Sequence, residues 1–141
     1  MTNDRFMADT LQLEIVTPEK IVVKDVANEV QIPGKSGYLG VLPGHAPLIT
    51  ELGVGEITYR NSSGTNHLAV AWGFAEVLPE KVTILAETAE RASDIDTGRA
   101  QQAKQKAEQK LKNGGPDLDY FSTEAALQRA ETRLQVANKA K

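Results

Sequence analysis

Apolar and polar residues alternate through the first ninety positions of the chain, in short runs separated by turn signals. Leu11, Leu13 and Ile15 alternate with polar neighbours, which is typical of a strand with one buried face. The stretch 26–32 alternates in the same way and predicts one strand, which a Pro-Gly pair ends. Short strands with turns about every ten residues favour an antiparallel sandwich or barrel.

Two further alternations flank an Asn-Ser-Ser-Gly turn signal. Ile57 and Tyr59 come before it. The large side chains after it are predicted to share one face of a strand: Leu68, Val70, Trp72 and Phe74. The last strand signal is the apolar stretch 82–85.

The pattern changes near Glu87, where strand formers give way to alanine. We expect Ser93 or Asp94 to cap a helix that ends near Lys112, with Asp96 in its first turn. A Gly-Gly-Pro break follows, and a second helix is predicted to begin at Asp117 or Asp119. Its stripe comprises Tyr120, Thr123, Leu127, Ala130, Leu134 and Ala137. A short connection makes the two helices an antiparallel hairpin.

This division predicts a loose leader at residues 1–10, an all-β sandwich at 11–88 and a two-helix hairpin at 89–141. The contact stripe of the hairpin is mostly alanine, which buries little apolar area. Two interpretations stay open for the hairpin: a mobile element that acts as a switch, or a passive tail packed on the β domain.

Charge is divided in the same way as structure. Residues 1–90 carry twelve acidic and six basic side chains, whereas residues 91–141 carry seven and ten. Such asymmetry suggests different partners for the two parts. The tail is too mildly basic, and too poor in aromatic residues, to indicate a nucleic-acid partner.

Catalytic motifs are absent from the sequence. It contains no cysteine, no phosphate-binding glycine loop and no metal-ligand spacing around either histidine. His67 follows a turn and is expected at the surface. We therefore predict a protein that is not an enzyme and that has no metal site and no required cofactor.

Residues 33–47 contain four glycines and three prolines, and they predict a rigid, shaped loop. Tyr38, Leu39 and Leu42 give this loop apolar side chains. They fit either a docking surface or a tight corner that closes the end of the sandwich.

A second candidate site lies at the start of the first helix. Asp96 and Arg99 share a face there, and Arg129 and Arg133 share a face of the second helix. If the open end of the hairpin lies near Glu90, the three arginines converge on a phosphate group, and Asp96 accepts from a base or ribose. The alternative is a capped helix with surface ion pairs.

Several of these segments resemble the epsilon subunits of bacterial F-type rotary ATP synthases. The signature is Leu42-Pro43-Gly44-His45-Ala46-Pro47, and Ile95-Asp96-x-x-Arg99-Ala100 at the helix start also matches. The resemblance covers nearly the whole chain. It implies a sandwich of about ten strands with a helical hairpin, in the central stalk of a proton-translocating synthase. It also implies peripheral attachment at the cytoplasmic face of the bacterial cell membrane, only through the complex.

The same resemblance implies partners and site residues. The sandwich is expected to bind the gamma subunit and the c-subunit ring, the latter through Tyr38, Leu39, Leu42, Pro43, Gly44 and His45. The hairpin is expected to permit ATP hydrolysis when folded and to inhibit it when extended against the alpha and beta subunits. Some members bind ATP as a regulatory ligand in the folded hairpin. The matching residues are Glu90, Ile95, Asp96, Arg99, Ala100, Arg129 and Arg133, while Lys106 replaces a further arginine.

The residues thus support two compatible functions: a rotor and regulatory subunit, or a nucleotide-sensing module whose hairpin is the receptor. A generic sandwich adaptor with an inert tail is the remaining alternative.

Overall fold

A computed structural model describes residues 9–140. The predicted leader lies almost entirely outside these residues. The strands are β1 (Leu11–Val16), β2 (Ile21–Ala27), β3 (Glu29–Gly34), β4 (Gly37–Val41), β5 (Leu48–Asn61), β6 (Gly64–Val77) and β7 (Lys81–Arg91). A 3-10 turn at Ala92–Asp94 leads to the helices α1 (Thr97–Asn113) and α2 (Tyr120–Asn138).

The seven strands form one sheet in the order β2-β1-β7-β6-β5-β3-β4. Only β1 and β7 pair in parallel; the other neighbours are antiparallel. The sheet folds onto itself, since Leu13 from β1 and Ile32 from β3 belong to one buried cluster. The Tyr59 hydroxyl on β5 also donates to Asp25 on β2, at 3.2 Å. The predicted sandwich followed by a helical hairpin is confirmed.

The three long strands bend along one line. Pairing is interrupted at Gly53, Trp72 and Glu87, one residue in each of β5, β6 and β7. Trp72 has φ of 53° and Gly73 has φ of 120°, which turns β6 sharply. Counting each long strand once on either side of this line gives the ten strands that the resemblance implied.

This bend corrects the predicted face of β6. Leu68 and Val70 are buried as expected, but beyond the bend the buried residues are Ala75 and Val77. Phe74 is instead 52% exposed. The backbone at the bend reverses the alternation. Even-numbered residues of β6 therefore face the core before the bend and face outward after it.

The stretch 26–32 is also corrected, because it forms two strands instead of one. The chain changes partner at Asn28: β2 pairs with β1, whereas β3 pairs with β4 and β5. The Asn28 amide donates to the Arg60 carbonyl at 2.7 Å. As a result Ala27 is buried and Val26 is exposed, the reverse of the expected face.

The helix boundaries follow capping chemistry. Asp96 is the N-cap of α1 and accepts from the Arg99 amide at 3.1 Å, so the predicted cap at Ser93 or Asp94 is wrong. Asp119 caps α2, one of the two predicted positions. Strand β7 runs to Arg91, three residues past the predicted end of the sandwich at 88.

The hairpin packs through small side chains. Ala100 and Ala107 are the buried residues of α1, and those of α2 are Thr123, Ala130, Val136 and Ala137. Tyr120, expected in the contact stripe, is 54% exposed. A small cluster of Ala69, Ile95, Val136 and Ala137 joins α2 to the sandwich, separately from the main core. The attachment of the hairpin therefore buries little apolar area.

Candidate functional site

A cleft of about 820 Å³ lies between the sandwich and the start of α1. This volume is in the range of small-molecule sites. The hairpin contributes Asp96, Arg99, Ala100 and Arg133 to its lining, and β7 contributes Glu90. The structure therefore brings five of the seven predicted nucleotide-site residues to one cavity.

The charges in the cleft are balanced and partly paired. The Arg133 guanidinium donates from Nε to Glu90 Oε1 at 2.6 Å, across the boundary between hairpin and sandwich. Arg99 has no ion pair to another described residue in 9–140. Because Arg99 is exposed at the cleft, its guanidinium is available to an anionic ligand.

The other two predicted residues lie elsewhere. Ile95 is buried in the small cluster that joins α2 to the sandwich. The Arg129 guanidinium lies 4.9 Å from the centre of the Trp72 ring, a cation–π contact. Arg129 and Arg133 share one side of α2 and border the same small cavity over the sheet, but their guanidinium groups have different partners, Trp72 and Glu90.

The sequence-based prediction missed one wall of the cleft. Thr17, Glu19 and Lys20 in the β1–β2 turn line it, together with Arg91 at the end of β7. The Arg91 Nη1 donates to the Tyr59 hydroxyl at 3.4 Å. The sequence marks the turn itself with Pro18-Glu19-Lys20, but it does not indicate that the turn lines a cleft, because the turn comes beside Glu90 only through the parallel pairing of β1 with β7.

The predicted docking loop is partly a strand. Tyr38 and Leu39 belong to β4, and Leu42, Pro43, Gly44 and His45 form the turn that follows. The Gly44 amide donates to the Pro79 carbonyl at 2.8 Å, which ties this turn to the β6–β7 turn at one end of the sandwich. Leu42 is 56% exposed there.

An apolar row crosses the outer face of the sheet. Phe74 pairs with Leu85, Leu85 with Val16 and Val16 with Ile21, so four neighbouring strands contribute one side chain each. Phe74, Leu85 and Ile21 are each more than half exposed. Ile49, which is 70% exposed, is the diagonal neighbour of Phe74 on β5. We call Phe74, Leu85, Val16, Ile21 and Ile49 the apolar row.

His67 is a paired, half-buried residue, and its expected place at the open surface is wrong. Its Nδ1 lies 2.5 Å from Glu56 Oε2, and Lys139 donates to Glu56 Oε1 at 2.6 Å. Burial raises the pKa of the Glu56 carboxyl, but the hydrogen bonds from Lys139, His67 and Thr58 outweigh that effect and lower the pKa below its usual value.

Two negative findings concern residues 9–140 alone. Neither helix has both the length and the apolar character needed to cross a membrane. No three His, Cys, Asp or Glu side chains within this range are grouped to hold a metal ion.

Comparison with known families matches both parts of the chain. Residues 10–92 match the ATP synthase delta/epsilon chain β-sandwich domain, and residues 93–138 match its long α-helix domain. The ATP synthase epsilon chain of Koribacter versatilis is 68% identical over 111 residues, which are 79% of this chain and 78% of that protein. The epsilon chain of Geobacter sulfurreducens is 49% identical over 135 residues, which are 95% and 98% of the two chains.

Solved structures share the fold. A chain of the mitochondrial ATP synthase of Euglena gracilis aligns with a TM-score of 0.67 and 22% identity, covering 94% of this chain and 81% of its own. A chain from the central stalk and c-ring of the Tetrahymena thermophila enzyme gives a TM-score of 0.53 at 16% identity, with coverage of 92% and 95%.

Proposed function

The chain belongs to the ATP synthase delta/epsilon chain family, and we propose that it joins the c-subunit ring to the gamma subunit in the central stalk of a proton-translocating synthase. It is an accessory chain of the synthase and is not catalytic by itself. Its place at the cytoplasmic face of the bacterial membrane, through the complex alone, is part of this proposal.

The apolar row carries this proposal. Large apolar side chains grouped on an exposed sheet face mark a protein interface. Four of its five side chains are more than half exposed, and the row crosses neighbouring strands: Phe74, Leu85, Ile21 and Ile49. We assign the apolar row to gamma, because the row crosses neighbouring strands and so offers a long apolar contact surface to a partner subunit. The turn with Leu42 and His45, at the end of the sandwich, is assigned to the ring.

A pull-down with purified gamma tests the assignment. Phe74→Glu with Leu85→Glu is expected to abolish binding, because both charges lose water at the interface. Val26→Glu is the matched control: Val26 is 47% exposed on the same outer face but outside the apolar row. Undiminished gamma binding by the double variant contradicts the assignment.

A regulatory role of the hairpin is the second part of the proposal. The small joining cluster and the alanine contacts of α1 let the hairpin leave the sandwich at modest cost. Extended, it is proposed to contact the alpha and beta subunits transiently and to inhibit ATP hydrolysis.

Truncation tests this role in the assembled synthase. The chain is best ended after Ala92, since Glu90 and Arg91 still pair with β6. We expect the truncated assembly to hydrolyse ATP faster while it keeps gamma bound. Unchanged hydrolysis refutes the regulatory role but leaves the docking role intact.

Nucleotide sensing is a second candidate function, favoured by the cleft. Arg99 is exposed at the cleft without an ion pair to a described residue, and Arg133 lies on the same wall. An ATP molecule would exchange the Arg133–Glu90 contact for a phosphate contact, with Arg99 as a second charged donor. ATP bound there favours the folded hairpin by mass action.

Calorimetric titration of the full chain with ATP tests the site. Arg99→Ala and Arg133→Ala are expected to weaken binding about tenfold or more, because each removes a charged donor. Arg60→Ala is the control, since Arg60 pairs with Glu29 away from the cleft. Equal affinity in all three variants refutes the site.

A further inference from the structure

Glu56 accepts from two basic side chains that come from different parts of the fold. His67 lies beside it on β6, within the sandwich, whereas Lys139 follows the last residue of α2. Their nitrogens lie 2.5 Å and 2.6 Å from the two carboxylate oxygens. If the hairpin leaves the sandwich, only the Lys139 contact breaks.

The three side chains are partly shielded from water. The exposed fractions are 14% for Glu56, 21% for His67 and 47% for Lys139. A carboxylate in this setting is screened less than one at an open surface. Its charge is therefore felt strongly by both partners.

We propose that Glu56, His67 and Lys139 form a proton-sensitive clasp, which holds the C-terminal end of the hairpin on the sandwich while His67 is neutral and loosens when His67 gains a proton. The clasp lies outside the cleft and needs no nucleotide. It gives the hairpin a response to acidification that is independent of ligand binding.

The direction of the pH effect on docking follows from the charges around Glu56. With neutral His67, the Lys139 ammonium faces one uncompensated carboxylate, to which His67 donates its Nδ1 proton. A protonated His67 neutralises that carboxylate and adds a positive charge beside Lys139. The contact between His67 and Glu56 persists whether the hairpin is docked or released. Protonation of His67 therefore weakens only the attraction between Lys139 and Glu56 across the boundary.

Within residues 9–140, the other groups that hydrogen-bond to Glu56 do not change charge between pH 5.5 and 8. Thr58 donates its hydroxyl to Glu56 Oε2 at 3.1 Å, and the Tyr38 hydroxyl on β4 accepts from the Glu56 amide at 2.9 Å. Hydroxyl groups stay uncharged in this range. The lowered pKa of Glu56 keeps the carboxyl ionised throughout. An imidazole with its ordinary pKa changes charge within this range.

Fluorescence transfer in the full chain tests the clasp. The sequence has no cysteine, so Ser62→Cys in the β5–β6 turn and Ser122→Cys on α2 accept a specific dye pair. We expect the ratio of docked to undocked hairpin to fall about two- to fivefold from pH 8 to pH 5.5. A change of that size corresponds to losing the stabilisation that a partly exposed ion pair provides. No nucleotide is added.

Variants identify the groups responsible. His67→Gln is expected to hold the high-pH ratio at both pH values, and Lys139→Met to hold a low ratio at both. His45→Gln, which removes the other histidine, and Lys112→Met, which removes a lysine at the end of α1, are expected to keep the wild-type response.

The clasp is refuted if His67→Gln keeps the pH response or if His45→Gln abolishes it. It is equally refuted if Lys139→Met and Lys112→Met give the same docked ratio. Circular dichroism at both pH values checks that each variant is folded, so that a change in transfer reports docking.

Discussion

Gly73 stands where β6 turns sharply, with its backbone close against β7. Its φ of 120° lies in a region that L side chains rarely adopt. A Cβ atom at this position would also overlap the Leu85 carbonyl oxygen, and it would lie 2.9 Å from the Leu85 carbonyl carbon and 3.0 Å from the Ala86 Cα. All of these atoms belong to the β7 backbone, so the overlap can be removed only if β6 and β7 move apart.

Gly64 supplies a matched reference. Its φ is 125°, but a Cβ atom there meets no atom within 4 Å. Gly64→Ala should therefore cost the backbone strain alone, about 1–3 kcal/mol. Gly73→Ala should cost a similar strain plus an overpacking penalty of about 1–3 kcal/mol, for a total of about 2–6 kcal/mol.

Urea unfolding of both variants, followed by circular dichroism, measures the two free energies of unfolding. We expect Gly73→Ala to lose at least about 1 kcal/mol more than Gly64→Ala. Since domains of this kind are stable by about 5–15 kcal/mol, both losses fall in a measurable range. Equal losses within error would show that β6 and β7 adjust freely at the bend, and would refute the reasoning.

Three further outcomes are expected. Asp96→Ala removes the α1 cap at a cost of about 1 kcal/mol, which thermal melting followed at 222 nm detects; an unchanged melt contradicts the cap. Arg129→Met loses the stack on Trp72 and should weaken hairpin docking by about 0.5–1 kcal/mol, measured by fluorescence transfer. Its ATP affinity should fall by no more than this loss of docking accounts for. Burial, aided by Asp25 and opposed by Arg91, raises the pKa of Tyr59. The contribution of Tyr59 to the free energy of unfolding is therefore fully present below the unfolded pKa of about 10 and is lost as the pH rises above it. Tyr59→Phe should flatten that alkaline loss in denaturant titrations, and an unaltered slope excludes Tyr59 as its source.

The strands were predictable where one face stays on the core. Leu11, Leu13 and Ile15 are fully buried, as their alternation indicates. The same rule failed for Phe74, because the backbone at Trp72 reverses the faces. Hydrophobic pattern records which side chains are apolar, but it carries no signal for positive φ at a tryptophan.

The candidate site was predictable to a similar degree. Spacing along the helices grouped Asp96 with Arg99 and Arg129 with Arg133, which is local geometry. Four residues along α2 also span about 6 Å of helix, however. Arg133 therefore meets Glu90, whereas Arg129 meets Trp72. Contacts of that kind depend on how the hairpin lies on the sheet, which no local pattern specifies.

The parallel pairing of β1 with β7 has a consequence for how the chain is made. Gln12 pairs with Lys81, so the first strand finds its central neighbour only after almost all of the sandwich has been synthesised. Pairings this distant in sequence make folding slow, because a long loop must close first. During synthesis β1 and β2 must wait as a lone hairpin, exposed to other nascent chains. The helices are made after β7, so the sheet can close while they are still being synthesised.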